Sequence, residues 1–144
     1  MNTVRKILMI KGKNLWVVEP NQTVFEALRR MADKDVGMLV VMDNDQMVGV
    51  ISERDYARKI VLLGKYSRDV LVSEIMTRNI VIVHPDQTVN ECIELMTHNR
   101  VRHLPVVENE QVIGVISIGD VVRDIIYEQK QAILELENQL HYKE

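Results

Sequence analysis

The chain has 144 residues, enough for one domain's worth of core, with 47% hydrophobic and 27% charged residues, which excludes a disordered chain. Its formal charge of -3 argues against nucleic acid as the main partner, because neutralising phosphates takes a net-basic face. No stretch approaches the roughly 20 apolar residues of a membrane span, "MNTVRKILMIKGK" is too short and too charged for a signal peptide, and the single Cys92 fits a reducing compartment, so the expectation is a cytoplasmic protein without membrane contact.

The first element is the apolar run "LWVV" (15–18), read as a buried strand that Pro20 ends. Thr23 with Glu26 three residues on has the spacing of a capping box, and a helix follows with Val24, Ala27, Leu28 and Met31 on its apolar face. "MLVVM" (38–42), a polar turn at 43–45 and "MVGVIS" form a hairpin, after which a second helix runs from near Glu53 to about Leu63.

The same order then returns. Shifting the sequence by 65 positions aligns residues 20–61 with 85–126 without a gap, and 18 of the 42 pairs are identical. "IVIV" (80–83) is the second strand of this kind, Thr88 with Glu91 the second cap, and Val89, Cys92, Ile93 and Met96 the second apolar face, which makes Cys92 a core residue in the place of Ala27. "HLPVV" (103–107) and "VIGVIS" form the second hairpin around a turn at 108–110, with Pro105 expected at an edge or irregularity because proline cannot donate to a ladder. The last helix begins near Ile118 and keeps its pattern to near Tyr142. Ile126, Ile133, Leu136 and Leu140 lie along it at steps of seven, three and four, the seam of a short coiled coil.

Both copies carry Gly-x-x-Ser-x-x-Asp: Gly49, Ser52 and Asp55, then Gly114, Ser117 and Asp120. A glycine in a strand admits close approach to the backbone, a strand-to-helix junction favours an anion, and a hydroxyl beside a carboxylate could hold a phosphate and a sugar diol. The serines and aspartates are spaced equally well for N-capping and first-turn dipole pairing, so the residues alone leave both readings open.

The duplicated pattern, "SEIMT" (73–77), "PDQTV" (85–89) and the two "GVISxxD" segments resemble a tandem pair of cystathionine-beta-synthase (CBS) domains, a Bateman module, over about residues 7–126. With its appended helix the chain is similar to small stand-alone bacterial CBS-pair proteins. The resemblance implies an α/β (α+β) fold of two β-α-β-β-α repeats related by a pseudo-twofold axis, divided here as 1–66, 67–126 and a C-terminal helical extension at 127–144. It also implies adenosine-containing ligands (AMP, ADP, ATP, NAD or S-adenosylmethionine) in clefts between the repeats, with Asp55 and Asp120 accepting from ribose hydroxyls and Ser52 and Ser117 helping to hold phosphate. Adenine would lie by Asn79–Ile82, including Asn79 and Ile80, with Val101–Leu104 in one cleft, and by Asn14–Val17 with Val36–Val40 in the other.

Phosphate would be steered by Arg102 and His103 in the cleft carrying Asp55, with Arg54 a further candidate; their counterparts Gly37 and Met38 lack charge, so the two clefts should differ. No catalytic set, phosphate loop or metal-ligand spacing is present, His84 and His98 included, so no enzyme activity, catalytic cofactor or metal is expected. The expected protein is a regulatory sensor, a homodimer acting on a downstream protein partner. The alternative is a constitutive dimerisation scaffold that binds no ligand.

Overall fold

The structure is a computed structural model that describes residues 2–12 and 15–142. The elements are α1 (Val4–Lys11), β1 (Val17–Val18), α2 (Val24–Lys34), β2 (Met38–Asp43), β3 (Gln46–Ser52), α3 (Glu53–Tyr56), α4 (Val72–Ile75), α5 (Val89–Asn99), β4 (His103–Glu108), β5 (Gln111–Ser117) and α6 (Ile118–Tyr142). A π-helical turn, Ala57–Val61, continues α3.

Each repeat is built on an antiparallel hairpin, β2 with β3 and β4 with β5. The two-residue turns Asn44–Asp45 and Asn109–Glu110 carry positive φ at both positions, the geometry that matches the twist of the flanking strands. Both ladders slip at the same place, between Val41 and Met42 and between Val106 and Val107. Thr23 and Thr88 cap α2 and α5 as expected, accepting from the Glu26 and Glu91 amides. Only the second forms the full box: Glu91 reaches back to the Thr88 amide, whereas Glu26 accepts from Gln22 instead.

The expected strand at 80–83 is not formed. In the first repeat β1 pairs in parallel with β2, and Val40 donates its amide to the Trp16 carbonyl. The counterpart of Val40 is Pro105, which has no N–H to give, so the second repeat keeps a single parallel bridge, Val83 to Val106. Pro105 leaves its own strand β4 intact and instead removes its neighbour.

Two short helices outside the repeated pattern complete the cores, and they do so crosswise. The first core joins Val18, Met31, Leu39 and Ile51 to Val70, Val72, Ile75 and Met76 around α4, while the second joins Leu104, Val106, Ile116 and Val121 to Val4, Ile7 and Leu8 of α1. Cys92 lies wholly inside the second core, where burial pushes its thiol up to about 11.

The two strand glycines admit this packing. A Cβ on Gly49 would stand 2.8 Å from Met76 Sδ and 3.0 Å from the Thr77 carbonyl oxygen, and one on Gly114 would stand 2.9 Å from Leu8 Cδ2. What approaches these backbones closely is the protein's own core.

Candidate functional site

The strand-to-helix junctions at Ser52 and Ser117 fold locally for a capping reason. Ser52 Oγ accepts from the Asp55 amide at 3.2 Å, and Asp55 Oδ2 in return accepts from the Ser52 amide at 3.0 Å and from Ser52 Oγ at 3.1 Å. In the second repeat Ser117 Oγ accepts from the Asp120 amide at 3.2 Å and Asp120 Oδ2 from the Ser117 amide at 2.8 Å. The capping reading is thus realised in both repeats, and it fixes where the carboxylates go: both are buried, at 8% and 6% exposure.

Both carboxylates also face cations. Asp55 Oδ1 accepts from Thr77 Oγ1 at 3.0 Å and pairs with Lys59 at 2.9 Å. Asp120 pairs through Oδ1 with Arg123 and through Oδ2 with Lys11, each at 2.7 Å. Burial by itself would raise the Asp120 carboxyl, but Lys11 and the Ser117 amide outweigh it and hold the group below the usual carboxylate range.

Each carboxylate stands on the wall of a cleft. The first cleft, about 720 Å³, brings together Ser52, Arg54, Asp55, Asn79, Ile80, Arg102 and His103, so seven of the nine residues proposed from the sequence meet in one place. The second, about 340 Å³, holds Ser117 and Asp120. His103, with Gly37 and Met38, lines both and forms part of the partition between them.

The proposed adenine walls are met in part. Val81 and Val101 line the first cleft, and Trp16 and Val36 the second, whereas Leu39, Val40 and Leu104 are fully buried and belong to the cores. Asn14 lies outside the described residues.

Arg54 has a structural partner as well: it donates to the Arg100 carbonyl at 2.5 Å, a cation set against the C-terminal end of α5 across the first cleft. Sequence reasoning assigned no role to Thr77, Lys59, Arg58, Arg100, Lys11 or Lys34. Thr77 closes the "SEIMT" motif, and Arg58 and Arg123 stand at the same offset from the two aspartates, so these were legible. Lys11 and Lys34 carry no such signal; α1 brings the first to Asp120, and the second lies 4.3 Å over the Trp16 ring.

A family profile described as CBS domain matches residues 4–62 and 72–127. The mitochondrial CBS domain-containing protein CBSX3 of Arabidopsis thaliana is 37% identical over 144 residues, which cover 93% of this chain and 69% of that protein. Among solved structures, a CBS-domain protein of Burkholderia ambifaria MC40-6 ascribed to signal transduction is 44% identical, with TM-score 0.85 over 89% of this chain and 96% of that one. The CBS domain pair of protein MJ0100, solved in complex with 5′-methylthioadenosine and S-adenosyl-L-methionine, is 25% identical, with TM-score 0.78 over 89% of this chain and 98% of that one.

Proposed function

The chain belongs to the CBS-domain family as a tandem pair, and from that premise we propose that it is a regulatory sensor whose clefts bind adenosine-containing nucleotides, not a catalyst. One observation carries the reading: the first cleft sets a buried carboxylate, an apolar wall and a group of guanidinium side chains around a single space of nucleotide size. Ribose hydroxyls would donate to Asp55 Oδ1 in place of Lys59, freeing that ammonium for phosphate, while the base lies against Ile80, Val81 and Val101. Arg102 and His103 would hold the anionic end. The adenosine ligands of the MJ0100 pair, a relative in both sequence and fold, support the same assignment.

The second cleft is smaller and its carboxylate is held by two cations, so it takes a smaller or less anionic ligand, or binds more weakly. Occupancy can shift the angle between repeats or protomers only by the difference in affinity for the two arrangements. The exposed apolar stripe of α6 makes the chain a homodimer in this proposal, and the cytoplasm is its compartment.

A thermal-shift panel of AMP, ADP, ATP, NAD and S-adenosylmethionine tests the proposal, since a ligand at 100 times its dissociation constant adds about 2.7 kcal/mol of stability. Asp55→Asn keeps a capping oxygen while removing the charge, and is expected to weaken binding by about 1.5–3 kcal/mol, roughly ten- to a hundred-fold. No shift with any of the five ligands would favour the ligand-free dimerisation scaffold.

A further inference from the structure

The two clefts differ in how their cations are used. Lys11 and Arg123 of the second cleft are paired with Asp120, and Lys34 covers Trp16. The first cleft is lined by Arg54, Arg58, Lys59, Arg100 and Arg102 against only Glu53 and Asp55, in a chain whose formal charge is -3. Of those five cations Lys59 is held by Asp55 and Arg54 by the Arg100 carbonyl. The Arg58, Arg100 and Arg102 guanidiniums make no ion pair or hydrogen bond among the described residues.

Arg58 is free for a reason written in the repeat. Its counterpart Arg123 pairs with Asp120 three residues before it, within the regular helix α6. In the first repeat the residue after Arg58 is Lys59, where the second repeat has Asp124, and the turn is π-helical; Lys59 therefore takes Asp55 four residues before it and Arg58 is left on the cleft wall. Arg58 comes from the first repeat and Arg100 and Arg102 from the second, so an anion between them is bracketed from two sides.

These three guanidiniums line one cleft without an acidic partner, and each is shaped for bidentate contact with phosphate oxygens. One phosphate monoester carries about two negative charges and leaves a guanidinium uncompensated. We infer that the first cleft is specific for a nucleotide bearing at least two consecutive phosphates, and that Arg58 is the residue that selects for the second. This rests on the nucleotide reading above and names the ligand class within it.

The test is calorimetric titration of the full chain with adenosine, AMP, ADP, ATP and inorganic pyrophosphate, for wild type, Arg58→Ala and Arg58→Lys. Wild type is expected to bind ADP about tenfold tighter than AMP, the worth of one added charged contact in a partly solvated cleft. Arg58→Ala is expected to erase that preference while leaving AMP within about twofold, and Arg58→Lys to restore part of it. Equal affinity of wild type for AMP and ADP, or an equal loss for both ligands in Arg58→Ala, overturns the inference and leaves the nucleotide reading standing. Binding of pyrophosphate that depends on Arg58, without any contribution from adenosine, supports the phosphate assignment and sinks the adenosine reading. Absence of binding by every compound sinks both.

Discussion

His103 lies at the partition of the two clefts, within the influence of Lys11 from α1, Asp120 from α6 and Arg102 beside it. Burial chiefly, with help from Lys11 and then Arg102 and against the pull of Asp120, holds its imidazole below the ordinary value of 6.5. The unfolded chain therefore takes up a proton near pH 6.5 that the folded chain refuses until the pH is lower. The His103 contribution to stability is full above about 6.5 and declines as the pH falls from there towards the folded pKa. Urea unfolding of wild type at pH 7.5 and 5.5 should show this loss, and His103→Gln should reduce it; an identical loss in the variant would place the titration elsewhere. At this scale the sequence was informative wherever the repeat supplied a second copy. The spacing of Ser52, Asp55, Ser117 and Asp120 made them caps and set both carboxylates on cleft walls.

The glycines show what an element needs from its neighbour. At Gly49 an added Cβ meets the Thr77 backbone carbonyl as well as the flexible Met76 side chain, whereas at Gly114 it meets only the movable end of Leu8. Gly49→Ala is thus expected to cost about 1–3 kcal/mol, the usual penalty of overpacking, and Gly114→Ala distinctly less. Urea midpoints of the two variants decide it, and equal losses would mean that backbone and side-chain contacts yield alike. The glycines could be read from the sequence as places of close approach, but the approaching partner could not. The helical spacing of Val4, Ile7 and Leu8 behind Thr3 is present in the sequence; at eight residues, however, α1 is too short to hold itself, and docking onto the second core decides its existence. The lost strand at 80–83 has the opposite lesson, since its cause, Pro105, stands in a different element.

Across the whole molecule α6 carries more of the exposed large apolar side chains than any other described element, among them Ile126, Ile133, Leu136 and Leu140 at 46%, 55%, 59% and 67% exposure. A stripe of that kind on a 25-residue helix is expected to meet a second copy of the chain. Sedimentation should therefore give a dimer for the full chain and a monomer or a weaker dimer for a chain ended after Tyr127; an unchanged dimer would move the contact to the repeats themselves. No described helix is both long and apolar enough to cross a membrane.

The amino-acid sequence by itself determined the two-fold repetition, the hairpins, the caps and the family, because each of these rests on neighbours within a few residues or on a pattern copied whole. Only the tertiary structure decided that α1 and α4 would each serve the opposite repeat's core, that Lys11 would reach Asp120 across 109 positions, and that three arginines would share one cleft without acidic partners. Those outcomes depend on which surfaces remain uncovered once the two hairpins have packed. A chain read in order has no distance in it between residues so far apart.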